Sequence, residues 1–245
     1  MLKKKSILIT GTSSGLGKSL AEYFSKNNEV ISINKIGSEN LNINNLENFN
    51  INILEYNKVE DLILKLKSEN RIPDIFILNA GINKYDNKEN FNYENFKDCF
   101  ETNFYGSMNF VGVIEKFNIS NKKILFMSST SNIIPNPASY GYYASKLLLK
   151  ESLKFLNINK KNDYKAIILG PVLTNISRDL EKPKGIGSII FNFLAVKTQE
   201  TISPIEKFLI GKKKILYFTF RSLVIYILLK YILKLFPFLY KGGRK

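Results

Sequence analysis

The sequence predicts an α/β protein with a doubly wound parallel sheet in a single domain and an extra apolar, basic helix at its C-terminal end. Short apolar runs alternate with segments of helical periodicity, which is typical of a parallel sheet covered on both faces. In addition, 44% of the 245 residues are hydrophobic, enough for one large core. The predicted strands are Ser6–Thr10, Val30–Ile33, Asp74–Leu78, Lys123–Met127 and Lys165–Leu169. Because such sheets bind ligands at the carboxyl ends of their strands, we expect the functional residues there.

The remaining elements follow along the chain. The apolar stretch Ile7–Ile9 is too short for the core of a signal peptide, so it is interpreted as a first buried strand. The Asn-rich segment Asn40–Asn52 carries recurring apolar residues and is interpreted as loop and strand. One helix is expected after Pro137 and a short one after Ser203–Pro204, followed by a strand at Ile215–Phe218. The long irregular stretch before Pro204 is of a kind that is often functional.

The composition excludes several kinds of site. With no His, the chain has no Ser-His-Asp triad, Cys-His dyad, His-ligated zinc site or histidine pH switch. The single Cys99 cannot close an internal disulfide bond. The formal net charge is +15, but residues 207–245 hold ten of the 36 basic residues and none of the 21 acidic ones, which leaves +5 on the first 206. Because these ten surround an apolar segment, they favour a membrane surface over nucleic acid.

The first predicted strand runs into a glycine-rich turn, Thr10-Gly11-Thr12-Ser13-Ser14-Gly15-Leu16-Gly17, and then into a helical segment. Glycine lets the backbone turn tightly and approach a pyrophosphate, whose charge then meets the N–H groups at the start of the helix. The alternative is a tight turn without a ligand.

Tyr142 and Lys146 are four residues apart, so on a helix they lie one turn from each other on the same side. A cation near a phenol favours the phenolate and lowers the pKa of the tyrosine, which makes it a usable acid or base. On spacing alone, a solvated helix face is the commoner explanation.

Six matches in the right order make the chain resemble the short-chain dehydrogenase/reductase family from Ser6 to about Thr174. They are T-G-x-x-x-G-x-G at Thr10–Gly17, Asn79-Ala80-Gly81 after a strand, Asn103, Ser129 thirteen residues before Tyr142, Y-x-A-S-K at Tyr142–Lys146, and Gly170–Thr174. The chain departs from the family pattern at Leu78, where the family often has Asn, at Leu169-Gly170, where it has Pro-Gly, and at Asn52, where it has an acidic residue.

The resemblance implies a Rossmann-type fold and hydride transfer between a nicotinamide cofactor and a carbonyl or alcohol carbon. It implies that Tyr142 donates the proton, Ser129 hydrogen-bonds the substrate oxygen, Lys146 holds the nicotinamide ribose and lowers the Tyr142 pKa, and Asn103 positions a water. No metal site is expected. The implied cofactor-binding residues are Thr10, Gly11, Ser13, Ser14, Gly15, Leu16, Gly17, Lys35, Asn52, Ile53, Asn79, Ala80, Gly81, Tyr142, Lys146, Pro171, Val172 and Thr174.

The end of the second strand, Asn34-Lys35, predicts a preference for NADP over NAD. An acidic residue there would bind the ribose 2′-hydroxyl and repel a 2′-phosphate. Asn34 lacks that charge and Lys35 supplies a positive one. The alternative is that Lys35 is one more solvated lysine.

The substrate is expected to be a small carbonyl or alcohol compound, bound by the loop from Asn175 to about Ser203. The apolar cluster of this loop either lines a greasy pocket or packs on the core; it consists of Ile189, Ile190, Phe191, Phe193 and Leu194. Residues 1–205 are predicted to form the catalytic domain, and residues 206–245 the last strand and a basic, apolar segment, which is either part of the same domain or a helix on a membrane surface.

The C-terminal segment is predicted to lie on a membrane surface. A helix over Ser222–Phe236 would reach only ~22 Å, short of the ~30 Å hydrocarbon core. We expect peripheral membrane contact through residues 215–240 and a cytoplasmic protein at the inner face of a membrane. The alternatives are a helix that pairs in a homo-oligomer or covers the substrate pocket.

Two competing functions remain at this point. One is a sugar- or polyketide-type dehydrogenase whose tail serves oligomerisation. The other is a dinucleotide-binding regulator without turnover, which would have a damaged active site, whereas Asn103, Ser129, Tyr142 and Lys146 are all present.

Overall fold

Seven parallel strands form one sheet. The computed structural model describes residues 1–86, 91–130, 139–170, 172 and 195–218. The strands are β1 (Ser6–Thr10), β2 (Glu29–Asn34), β3 (Leu46–Asn50), β4 (Ile75–Leu78), β5 (Lys123–Ser129), β6 (Asp163–Leu169) and β7 (Ile215–Tyr217). Their order is β3-β2-β1-β4-β5-β6-β7, and all neighbours are parallel. The chain moves outward from β1 in both directions, which confirms the predicted doubly wound sheet.

Helices cover both faces of this sheet. They are α1 (Gly15–Phe24), α2 (Tyr56–Ser68), α3 (Tyr93–Phe100), α4 (Gly106–Lys116), α5 (Tyr140–Leu156) and α6 (Thr198–Ile210), and a π-helical turn at Glu101–Tyr105 joins α3 to α4. Helices α2, α4 and α5 pack on one face, and α1 and α6 pack on the other. Alternate residues of β4 supply the two cores, Phe76 and Leu78 to the first and Ile75 and Ile77 to the second.

The parallel arrangement gives the sheet two different edges. The carboxyl edge carries the turns that follow β1, β2, β4 and β5, and these hold most of the residues singled out by the sequence. The amino edge carries the turns that precede β5, β6 and β7. Ligand chemistry is therefore expected at the carboxyl edge.

The start of one helix differs from prediction. Helix α6 begins at Thr198, not after Pro204, and Pro204 lies in its interior. Proline removes one helical hydrogen bond, but the apolar face with Ile205 and Leu209 is fully buried and packs beside α1, which outweighs the lost bond. The prediction was wrong because proline usually marks the first turn of a helix. Within Asn40–Asn52, the expected strand is β3.

The predicted domain division after residue 205 falls inside α6. Residues 206–218 complete α6 and β7, which pairs with β6 in the same sheet. The apolar, basic segment from residue 219 onward, with the predicted helix Ser222–Phe236, lies outside the described residues. None of the helices in the described part of the chain is both long enough and apolar enough to cross a membrane.

Candidate active site

The glycine-rich turn joins β1 to α1 in a conformation that requires glycine. Gly11 has φ +72° and Gly15 has φ +56°, both in the left-handed region. Ser14, at the N-terminal boundary of α1, has extended backbone and makes no side-chain capping bond. The start of α1 is thus arranged so that its N–H groups can meet an anion.

Gly17 brings α1 directly against this turn. A Cβ atom at Gly17 would lie 2.0 Å from the carbonyl oxygen of Gly11 and 2.6 Å from Nδ2 of Asn79. A Cβ atom at Gly11 would lie 2.9 Å from Cα of Ala80. The backbones of three segments therefore approach so closely that only glycine fits, as a pyrophosphate cradle requires.

The segment after β4 is tied to the end of β1. The Oγ1 atom of Thr10 accepts hydrogen bonds from the backbone N–H groups of Asn79 and Ala80, both at 2.9 Å. Asn79 Nδ2 donates to the carbonyl oxygen of Thr10 at 3.0 Å. These bonds fix the two strand ends on which a dinucleotide would rest.

Asn34, at the end of β2, holds the glycine-rich turn in place. Its Oδ1 atom accepts hydrogen bonds from the N–H groups of Thr12 and Ser13, both at 2.8 Å, and the residue is 2% exposed. Lys35, the next residue, is exposed. Sequence reasoning considered only the missing charge of Asn34 and did not find this anchoring contact.

Asn103 links three segments from the π-helical turn. Its Nδ2 atom donates to the carbonyl oxygen of Ile82 and to Oγ of Ser145, both at 3.0 Å, and its Oδ1 atom accepts from the N–H of Ile82 at 2.8 Å. π-Helical turns occur often at functional sites. Ser145 is the serine of the Y-x-A-S-K motif, and only the fold brings it into contact with Asn103. The predicted positioning of a water by Asn103 stays a prediction.

Ser129, Tyr142 and Lys146 meet next to this turn. Ser129 ends β5, whereas Tyr142 and Lys146 lie one turn apart on α5. The side chains of Ser129 and Tyr142 are hydrogen-bonded. Lys146 Nζ donates to the carbonyl oxygen of Met127 at 2.8 Å and lies 5.7 Å from the centre of the Tyr142 ring. A Cβ atom at Gly81 would be 3.2 Å from this Nζ, so the segment after β4 borders the same site.

Helix α5 is held against α3 by backbone contact. A Cβ atom at Gly141 would lie 2.7 Å from both Cα and the carbonyl oxygen of Phe96, and 3.0 Å from Cβ of Cys99. Because Gly141 directly precedes Tyr142, this contact sets the position of the tyrosine.

The electrostatics differ from expectation at one residue. The pKa of Tyr142 is raised from its ordinary value because burial disfavours the phenolate, and the hydrogen bond from Ser129 opposes this only in part. Burial also lowers the pKa of Lys146 to about 8. The expected lowering of the Tyr142 pKa by Lys146 was wrong because Nζ is directed to the Met127 carbonyl and desolvation of the phenol dominates.

The other predicted cofactor residues are less closely tied to this site. Asn52 and Ile53 form the turn between β3 and α2, where Asn52 Nδ2 donates to Glu55 at 2.9 Å. Val172 pairs with Val196 in an isolated parallel bridge. Pro171 and Thr174, and with them the apolar cluster of the predicted substrate loop, lie outside the described residues.

The two parts of the site suit one chemistry. The glycine turn and the start of α1 offer backbone N–H groups that suit a pyrophosphate, and Tyr142 can exchange a proton with a substrate. Among the described residues, no group of three or more Cys, Asp or Glu side chains is placed to hold a metal ion.

Comparison with known proteins places this geometry in a family. The sequence profile described as short chain dehydrogenase matches residues 5–185. The 3-oxoacyl-(acyl-carrier-protein) reductase FabG of Staphylococcus epidermidis is 25% identical over 154 residues, which cover 58% of this chain and 63% of that relative. The chain therefore matches somewhat less than two thirds of the relative's length.

Two solved structures share the fold. The 3-ketoacyl-(acyl-carrier-protein) reductase of Brucella melitensis, complexed with NADH, superposes with a TM-score of 0.72 at 19% identity, over 89% of this chain and 97% of that one. A short chain dehydrogenase of Burkholderia cenocepacia, in complex with NADP, gives 0.72 at 19% identity, over 91% of each chain.

Proposed function

The chain belongs to the short-chain dehydrogenase family, and we propose that it transfers a hydride between a nicotinamide dinucleotide and the carbonyl or hydroxyl carbon of a small molecule. The observation that carries this proposal is the meeting of Ser129, Tyr142 and Lys146 beside the glycine-rich turn, with Ser129 and Tyr142 hydrogen-bonded. When bound, the nicotinamide supplies or accepts the hydride.

In the reductive direction Tyr142 is the proton donor. Its raised pKa keeps the phenol protonated at neutral pH, so the proton is available for the carbonyl oxygen of the substrate. Ser129 hydrogen-bonds the same oxygen and orients it towards the phenol. Lys146, whose pKa of about 8 leaves it mostly charged at neutral pH, holds the nicotinamide ribose.

The chain's own residues fit a dinucleotide. Gly11, Gly15 and Gly17 let the backbone approach the pyrophosphate, and the start of α1 faces its charge. At the end of β2, Asn34 has no charge to repel a 2′-phosphate, and the exposed Lys35 can attract one. These features support NADP as the preferred cofactor and NAD as the weaker one.

A lipophilic carbonyl compound is the substrate class that we propose. Aromatic rings gather just before Tyr142, where Phe91 lies 5.6 Å from Phe96 and 5.9 Å from Tyr140, measured between ring centres. Phe91 is 60% exposed, and Phe96 lies against Gly141, the residue before Tyr142, so this cluster offers an apolar surface at the start of α5. A 3-oxoacyl compound, the substrate class in the name of the Staphylococcus relative, is the first to test.

The location and assembly of the protein are also part of the proposal. We propose that the enzyme is cytoplasmic and contacts a membrane peripherally through residues 215–240. The alternative is that this segment serves homo-oligomerisation. The basic residues after Lys207, interleaved with apolar ones, support the membrane contact.

The test is turnover by the purified protein with NADPH on a panel of aldehydes, ketones, sugars and 3-oxoacyl compounds. Tyr142→Phe should lower kcat by a factor on the order of 100 or more, because it removes the proton donor, while NADPH affinity stays within about threefold. Tyr143→Phe is the matched control and should keep full activity. Retained turnover in Tyr142→Phe would sink the mechanism. If the unaltered protein bound NADPH tightly but reduced no compound of the panel, the alternative function, a dinucleotide-binding regulator without turnover, would be favoured.

A further inference from the structure

A second surface lies at the amino edge of the sheet, away from Tyr142. It consists of residues 155–162, from the end of α5 to the start of β6, and residues 210–215, from the end of α6 into β7; we call it the basic edge. The two turns are joined by Lys214, whose Nζ donates to Oδ1 of Asn157 at 3.2 Å and pairs with Asp163 at 2.5 Å. They therefore form one continuous surface, although α5 and α6 cover opposite faces of the sheet.

The basic edge carries a concentrated positive charge. Lys160, Lys161, Lys212 and Lys213 are all exposed, and none of them forms an ion pair with a carboxylate of the described residues. Asp163, the only acidic residue in or directly beside the two turns, is already paired with Lys214. The charge is therefore available to an external anion.

A shallow concavity lies within this surface. Its volume is about 480 Å³, and its charged lining residues are Lys122, Lys123, Lys160, Lys161, Lys214 and Asp163. Five lysines against one carboxylate give the concavity a net positive charge that suits phosphate or carboxylate groups.

Large apolar side chains stand among these lysines. Phe155 is 73% exposed, Ile158 66%, Ile210 49% and Ile215 36%. Phe155 and Ile158 are among the most exposed large apolar side chains of the described residues. Apolar side chains grouped on an exposed surface mark an interaction site more often than isolated ones do.

We propose that the basic edge docks the protein onto a membrane surface rich in anionic phospholipid. In this position Phe155, Ile158, Ile210 and Ile215 enter the boundary between headgroups and acyl chains, and the lysines contact the headgroup charges. The carboxyl edge, with the site around Tyr142, then faces away from the lipid. This inference rests on the peripheral membrane contact of the proposed function but assigns that contact to the described residues of the basic edge, and it does not depend on the proposed activity.

The composition of the surface favours lipid over two other partners. A nucleic acid would pair its phosphates with the lysines but would leave the four apolar side chains without a partner. If a second copy of the chain bound here through its own basic edge, the two sets of lysines would repel each other.

The test is sedimentation of the purified full chain with vesicles of phosphatidylcholine alone or with about 30% phosphatidylserine. We expect binding only to the anionic vesicles, weakening as salt is raised. Each lysine near such a surface strengthens partitioning by about fivefold, so Lys160→Gln combined with Lys161→Gln should weaken it by about 30-fold. Phe155→Ser combined with Ile158→Ser should weaken it by at least about tenfold, because less apolar area is buried.

The controls alter similar residues elsewhere. Lys58→Gln combined with Lys97→Gln, and separately Leu64→Ser, replace exposed side chains away from the basic edge and should change partitioning by less than about twofold. Unfolding temperature and NADPH binding should be unchanged in all variants.

Two results would overturn the proposal. If both basic-edge variants partition as the unaltered chain does, another part of the protein, such as the segment after residue 218, holds the membrane. If the lysine pair matters, the apolar pair does not, and a DNA duplex binds with the same dependence on lysine, the surface is a nucleic-acid site.

Discussion

Replacing Gly17 with alanine should destabilise the fold and disable the dinucleotide cradle together. The new Cβ atom would lie 2.0 Å from the Gly11 carbonyl oxygen, whereas ordinary contacts begin at 3.4 Å, so backbone must move by more than about 1 Å. Overpacking of this kind costs up to about 3 kcal/mol. Alanine recovers about 1 kcal/mol as a better helix former. The free energy of unfolding should fall by about 2 kcal/mol, which lowers Tm by about 4–8 °C in a chain of this size.

The assays are thermal unfolding by circular dichroism and titration with NADPH, whose affinity should fall by at least about tenfold as the start of α1 is displaced. Gly112→Ala in α4 is the matched control, because its Cβ atom would meet only the ring of Tyr56, at 3.2 Å, and a side chain can shift. Its Tm should stay within about 3 °C of the unaltered chain. If Gly17→Ala unfolded at the same temperature as Gly112→Ala and bound NADPH equally well, the close packing of α1 on the turn would be disproved.

Three further predictions follow from single contacts. Because burial lowers the pKa of Lys146 to about 8, carbonyl reduction should fall above about pH 8 as Lys146 loses its proton, whereas the raised pKa of Tyr142 keeps the phenol protonated through that range. Lys146→Arg should remove that fall from the pH–rate profile of reduction. If the fall persists in this variant, it does not come from Lys146. Asn34→Asp keeps an oxygen for the N–H groups of Thr12 and Ser13 and adds a negative charge, so the ratio of kcat/KM for NADPH over NADH should drop at least about tenfold; an unchanged ratio would show that cofactor choice is made elsewhere. Glu206→Ala removes the acceptors of the Leu2 N–H at 2.6 Å and the Tyr23 hydroxyl at 2.9 Å, so Tm should fall by about 4–8 °C, against less than about 2 °C for the exposed Glu200→Ala.

The features that could be predicted from the sequence depend on local geometry. The turn at Gly11–Gly17 follows from glycine spacing after an apolar run, and the proximity of Tyr142 and Lys146 follows from the helical repeat. The parallel sheet follows from the alternation of apolar runs with helical segments, because strands buried on both faces are nearly all apolar.

The features that could not be predicted depend on contacts between distant segments. The hydrogen bond from the Thr12 N–H to Oδ1 of Asn34 joins residues 22 apart in the chain, and no sequence pattern encodes it. The pKa of Tyr142 could not be predicted because the neighbouring cation is visible in the sequence, whereas desolvation appears only when α5 packs against α3. The start of α6 depends on its burial beside α1, which overrides the local preference of Pro204.

The contact between Gly141 and Phe96 has a consequence for redesign. Because main chain rests on main chain at this point, the backbone position of Tyr142 does not depend on the side chains that would line a substrate pocket. Those side chains can be enlarged, reduced or made polar in a directed-evolution library while the proton donor keeps its place. The same contact makes Gly141 itself a poor position to randomise, since any larger residue would separate the two helices and displace the tyrosine.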